Sequence, residues 1–254
     1  MLSNPTLEKM KELNLLGMAK AFEDQLKTES YKKLSFEERL AYLIEMESLC
    51  RDNRKLASRL KNAKLRHGAC IEDIDFTDGR KLDKNLILSL SKCKWIKEHR
   101  NVLITGVTGV GKSYIACALA HKACLEGYTA LYMRVPKLFS ELAVARGDGR
   151  YPKIIMALSK IDILIIDDWG LSKLNENERK DFLEIIEDRY ELRSTIITGQ
   201  VPVKKWHELI GEPTFADAIL DRLIHNSYRI ELSGESMRKI KNEIKDEPKE
   251  KDKK

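Results

Sequence analysis

The sequence predicts an α/β fold, a parallel sheet with helices on both faces, preceded by a small all-helical N-terminal domain. Three observations predict it. From Asn101 onward, short and continuously apolar segments alternate with helical ones, as strands buried on both faces require. Before residue 67, a set of apolar residues recurs at three- and four-residue spacing, as one buried helix face requires. Gly (13) and Pro (6) are scarce for 254 residues, which disfavours all-β and low-complexity classes. With 43% apolar and 34% charged residues, wholesale disorder is excluded. No apolar run approaches the roughly 20 residues that span a bilayer. The start, MLSNPTLEKM, has no apolar signal core, so the expectation is a cytoplasmic protein without a membrane partner. Cysteines 50, 70, 93, 117 and 124 are odd in number and form no C-x-x-C pair, which argues against a disulfide framework or a zinc site.

Taken in order, residues 1–67 read as helical throughout and as a DNA- or partner-binding domain. Leu7, Met10, Leu13, Leu15, Met18, Ala21, Phe22 and Leu26 would line one buried face. Ser35 and Glu38 form a capping-box pattern that opens a second helix, with Phe36, Leu40, Leu43, Ile44 and Met46 expected inward. That helix is expected to continue through 51–67, where Arg51, Arg54, Lys55, Arg59, Lys61, Lys64 and Arg66 face a single acid, Asp52. A helix so charged repels itself unless a polyanion or an acidic neighbour is near, so these seven are candidate DNA-phosphate contacts. Arg146, Arg150 and Lys153, in a loop between two later helices, are weaker candidates. Residues 68–97 read as a connector, with a turn at Asp78-Gly79 and an apolar segment at Leu86–Leu90. A separate α/β domain is expected over 98–240. Its strands are NVLITG, TALYM, DILIIDD, STIITG and SYRIEL, with helices after Ser113 and near 136–146, 151–159, 175–192 and 214–224. The mixed-charge tail 241–254 is expected to be disordered.

The strongest motif is Gly106-Val107-Thr108-Gly109-Val110-Gly111-Lys112-Ser113, a G-x-x-x-x-G-K-S that follows a buried strand and opens a helix near Gly111, and Tyr114, next along, is grouped with it as a nucleotide-binding candidate. Its glycines let successive N–H groups curl around a triphosphate, and the helix dipole adds to the field. Lys112 supplies a charge to the β- and γ-phosphates, and Ser113 a hydroxyl to Mg²⁺. The expected acidic partner ends another buried strand: Asp167 to hold the metal and Asp168 to orient the attacking water. ATP and Mg²⁺ are therefore the expected cofactors, in a P-loop NTPase. No N-K-x-D guanine signature occurs. Gln200, just past the fourth strand, can reach the γ-phosphate or the water. Arg222, beside Asp221 at a helix end, reads either as a surface ion pair or as an arginine finger completing a neighbouring subunit's site. Arg238, in GESMRK, is a further candidate for the phosphates in cis.

These residues, with LLGMAKAFEDQ, SFEERLAYLIEME, LKNAKLRH, IEDIDF and the run RYELRSTIITGQVPVKKWHELIG, resemble the IstB-like ATPases. That family comprises transposition helper proteins of insertion sequences, related to the DnaC helicase loaders within the AAA+ class, and the similarity covers nearly the whole chain. The resemblance implies an AAA+ ATPase that binds duplex DNA largely independently of sequence, forms homo-oligomers on it and helps a cognate transposase select targets and insert. The alternative is a helicase loader whose N-terminal domain grips a protein. A small-molecule P-loop kinase would need neither the basic N-terminal domain nor Arg222 in trans. By position, Gly106 to Ser113 match Walker A, Asp167-Asp168 Walker B, Gln200 sensor 1 and Arg222 the finger. Two positions depart from the common pattern: Asp168 stands where Glu is frequent, and Gln200 where Asn is. After the fifth strand the chain is expected to be too short for a full helical lid.

Overall fold

The computed structural model describes residues 4–76 and 79–237, which divide into two compact units at Arg59/Leu60. In the first unit, Asn4 caps helix α1 (Pro5–Glu12) by accepting from the Thr6 and Leu7 amides, with Pro5 in the first turn where its missing N–H costs nothing. The expected single N-terminal helix breaks at Asn14, whose φ of 59° is left-handed, and α2 (Leu16–Lys27) starts afresh. Ser35 and Glu38 exchange their capping-box bonds, at 3.2 and 2.7 Å, at the start of α3 (Phe36–Ala63).

Glu47 of α3 ties the unit together. One carboxylate oxygen accepts from the Gly17 (2.7 Å) and Met18 (3.2 Å) amides at the open start of α2, where the helix dipole favours a negative charge. The other oxygen takes Arg51 at 2.7 Å and Arg54 at 3.6 Å. The expected inward face of α3 is only partly realised. Leu43 is buried, but Phe36 is 70% and Ile44 56% exposed. The few helices of this unit cannot cover so wide an apolar stripe.

Helix α3 ends at Ala63, four residues before the expected limit, because Lys64 turns left-handed (φ 49°). The second unit thus starts inside the last turn of α3 and takes in the whole connector. There Asp83 caps α4 (Lys84–Leu90), and α5 (Lys94–Lys97) buries Trp95, whose indole N–H donates to Leu90.

The sheet contains β1 (Asn101–Gly106), β2 (Ala130–Arg134), β3 (Ile163–Trp169), β4 (Ser194–Gly199) and β5 (Ser227–Leu232). All pairings are parallel, in the order β2-β3-β4-β1-β5. The connecting helices are α6 (Lys112–Leu125), α7 (Val135–Gly147), α8 (Tyr151–Lys160), α9 (Glu176–Arg189), α10 (Trp206–Ile210) and α11 (Pro213–Ile224). The strands lie where the apolar runs put them because residues such as Ile163–Ile166 are buried on both faces. Under the β3 and β4 ends, Trp169 stacks on Phe182 (4.4 Å between ring centres) and abuts Trp206. Buried Arg189 donates to the carbonyls of Leu158, Ile161 and Ser194 and to the Thr195 hydroxyl, fastening the turn before β3 to β4. Among the described residues, no helix is long and apolar enough to cross a membrane.

Candidate functional site

The strand order decides what meets at the C-terminal edge of the sheet. β4 lies between β1, which ends in the glycine loop, and β3, which ends in the acidic pair. A crevice at that edge is where open parallel sheets bind ligands. A cavity of about 310 Å³ opens there, lined by Arg66, Asp73, Arg80, Lys112, Asp168 and Gln200 among others.

The β1–α6 loop carries positive φ at Gly106, Gly109 and Gly111, and α6 starts at Lys112, directly after the left-handed Gly111. The Lys112 ammonium donates to the Gly106 and Val107 carbonyls, both at 2.8 Å. Ser113 lies one residue further, and its hydroxyl donates to both oxygens of Asp167, at 2.8 and 2.9 Å.

Asp167 is 1% exposed, so its carboxylate depends on donors. Besides Ser113 it accepts from the hydroxyls of Tyr132 on β2 and Thr198 on β4. The Arg66 guanidinium stands 3.8 Å away. Burial, reinforced by the Asp167 carboxylate, pushes the Tyr132 hydroxyl far above its ordinary range, so it stays a donor. The bond to Tyr132 and the nearby carboxylates in turn raise Arg66. Between Ile166 and Trp169 the β3–β4 register shifts, and Asp168 takes a left-handed φ of 64°. The irregularity turns the two consecutive acids to different partners: Asp168 pairs with Arg134 at 2.6 Å, at the end of β2.

This donor set fits a polyphosphate carrying a hard divalent cation. It offers a glycine loop, a lysine, the start of a helix, and one hydroxyl beside one carboxylate. Mg²⁺ keeps waters and phosphate oxygens as most of its ligands, so one carboxylate and one hydroxyl suffice from the protein.

The candidate residues divide by position. Thr108, Gly109, Gly111, Lys112, Ser113, Tyr114, Asp168 and Gln200 line one cavity, and Asp167 bonds Ser113 at its edge. Arg222 lies elsewhere. Its backbone carbonyl accepts from Asn101, which opens β1, so it sits at the opposite sheet edge from the glycine loop, with its guanidinium on Glu187 at 2.8 Å. Arg238 and the tail 241–254 fall outside the described residues, as does Asp78 of the expected turn.

Among the basic candidates, Arg51, Arg54, Lys55, Arg59 and Lys61 are on α3, and Arg51, Arg54, Lys55 and Arg59 share an arc of about 140° at 100° per residue. Arg66 departs from the sequence reading: α3 has ended, and its guanidinium turns toward Asp167 instead of standing on an exposed helix face. Arg146 also departs, since it is no loop cation: it belongs to α7, pairs with buried Asp181 and lies 3.9 Å over the Tyr151 ring. Arg150 pairs with Asp148 at 2.8 Å, and Lys153 is exposed in the first turn of α8. Sequence reading missed Tyr132, Thr198, Arg134 and Arg80. A polar residue among apolar ones near a strand's C-terminal end was the available signal for the first three; nothing local marked Arg80.

The profile of the IstB-like ATP binding protein family matches residues 8–245. An insertion-sequence ATP-binding protein of Sinorhizobium fredii (y4pL) is 54% identical over 239 residues, 94% of this chain and 98% of that protein. The ATP-binding protein of insertion sequence IS21 from Pseudomonas aeruginosa is 33% identical, over 85% of this chain and 82% of its own. Among solved structures, the DnaC helicase loader superposes with a TM-score of 0.54 at 21% identity, over 67% of this chain and 100% of that one. The replication initiator DnaA, bound to AMPPCP and single-stranded DNA, gives 0.57 at 18%, over 72% of this chain and 56% of that one. At such identities the structural likeness speaks for the AAA+ fold alone.

Proposed function

The chain belongs to the IstB-like ATP-binding proteins of insertion sequences, and from that membership we propose that it is an ATPase that assembles on duplex DNA and assists its transposase in choosing targets and inserting. The observation that carries this reading is the Ser113–Asp167 pair at the mouth of the glycine loop, with Asp168 beside it and Gln200 on the same cavity wall. In the proposed reaction Lys112 and the loop amides hold the phosphates. Ser113 and Asp167 hold Mg²⁺, which would offset the charge developing on the phosphoryl group. Asp168 orients the water, and its bond to Arg134 must open for that task.

Arg222 lies too far along the sheet to serve its own subunit's phosphates, which supports a role in a neighbour's site and ties turnover to oligomer formation. The basic arc of α3 contacts DNA phosphates, and Arg51 and Arg54 exchange Glu47 for them. The test is ATP hydrolysis by the full chain with and without duplex DNA, next to Lys112→Ala. The expected result is DNA-stimulated turnover by the native chain, and no nucleotide binding or ATP-dependent assembly by the variant. Turnover unaffected by Lys112→Ala, or co-purification with a replicative helicase in place of the transposase, would overturn the reading.

A further inference from the structure

Two segments far apart in sequence bracket the glycine loop. On one side, Arg80 is only 7% exposed, and one of its terminal guanidinium nitrogens donates to the Val110 carbonyl at 2.7 Å, while the other donates to the Asp75 carbonyl. Among the described residues, its Nε is buried without a hydrogen-bond partner. On the other side, the Met237 amide donates to the Gly109 carbonyl at 3.0 Å. The two segments are themselves joined, Ser233 N–H to the Arg80 carbonyl at 3.1 Å and the Ser233 hydroxyl to the Gly79 carbonyl at 3.0 Å. Contact is close: a Cβ on Gly111 would stand 2.8 Å from the Arg80 guanidinium, and one on Gly109 2.1 Å from the Ser236 hydroxyl.

We propose that Arg80 is a positioning residue for the phosphate cradle, fixing the orientation of the Val110–Gly111 peptide before nucleotide arrives. A trans peptide points its C=O and the next N–H in opposite directions. Binding the Val110 carbonyl therefore turns the Gly111 N–H away from the guanidinium, and Met237 does the same for the Val110 N–H through Gly109. A glycine-rich loop without these ties would sample several orientations, and phosphate binding would have to order it, at a cost in affinity. Arg80 also brings its cation to the wall of the cavity, where it adds to the field of Lys112. The proposal rests on the glycine loop being the nucleotide site.

The experiment measures binding of a fluorescent ATP analogue to the full chain with Mg²⁺, for the native protein, Arg80→Met, Arg80→Lys and Lys112→Ala, with tripolyphosphate as a competitor that has no base. Losing a charge-assisted bond predicts about 10- to 100-fold weaker analogue binding for Arg80→Met. Tripolyphosphate competition should weaken by the same factor, and Arg80→Lys, which can reach one carbonyl, should recover part of the loss. A folded Arg80→Met that binds as the native chain does overturns the proposal. So does weakened analogue binding with unchanged tripolyphosphate competition, which would assign Arg80 to the base. Failure of both Arg80 variants to fold, judged by circular dichroism, assigns Arg80 to the fold and overturns it as well. If instead Lys112→Ala binds like the native chain, the site lies elsewhere, and that reading falls first and takes the proposal with it.

Discussion

Thr198→Val removes a hydroxyl while nearly keeping the side chain's shape, and the loss falls on the Asp167 carboxylate, which is almost wholly buried. Asp167 would keep the Ser113 and Tyr132 donors and the Arg66 charge but lose the bond from β4, the strand that separates it from the glycine loop. A hydrogen bond to a charged group contributes about 1.5–3 kcal/mol. In a unit of this size each kcal/mol moves the melting temperature by about 2–4 °C, so the expected drop is roughly 3–12 °C. Thermal unfolding followed by tryptophan fluorescence is the assay, since Trp169 adjoins Asp168 and packs on Trp206. Thr198→Ser, which retains the hydroxyl, is the control. The Val variant should also need more Mg²⁺ to bind ATP, because Asp167 is no longer held in place toward Ser113. Equal melting and equal Mg²⁺ dependence for the Val and Ser variants would refute the account of how Asp167 is positioned.

The other expectations can be checked separately. Asp168→Asn should retain ATP and Mg²⁺ yet lose turnover, leaving assembled complexes trapped on DNA; native-rate hydrolysis would show that another group positions the water. Arg222→Ala should bind ATP as a monomer almost normally, yet lose the hydrolysis that appears on oligomer formation, read as turnover against protein concentration. Burial raises the Glu47 pKa, but bonds from Arg51 and the Met18 and Gly17 amides outweigh it, so the folded value lies below the ordinary 4.5. Its stabilising contribution is then present above about pH 4.5 and is lost as pH falls through the lower folded value. Far-UV circular dichroism should show Glu47→Gln losing that acid dependence, and identical acid curves would exclude the role. If the four cations of the α3 arc contact phosphates, log affinity for duplex DNA should fall against log salt with a slope of about 3 to 4. A flat dependence would remove α3 from the interface.

Much of this protein is written locally. Runs such as NVLITG and STIITG specify buried strands because every side chain must be apolar when both sheet faces are covered. The glycine loop is legible because phosphate cradling needs positive φ at fixed intervals, a constraint confined to a few consecutive residues. The Ser35–Glu38 cap is equally local. The limits of α3 were harder to see, since charge and periodicity run past Ala63 while one left-handed residue, Lys64, ends the helix.

Tertiary structure alone decided the company each residue keeps. Asp167 receives its donors from Ser113, Tyr132 and Thr198, which are 54, 35 and 31 residues away along the chain. They converge because the sheet places β3 between β2 and β4, an order that no local pattern encodes. The same holds for Arg66, which composition groups with a basic helix and the fold turns toward a buried carboxylate, and for Arg80, which resembles any other arginine until it is found against Val110. Periodicity and glycine spacing follow from the conformation of a few adjacent residues. Charge neutralisation and hydrogen-bond partnership depend on distances through space, which exist only after the chain has folded.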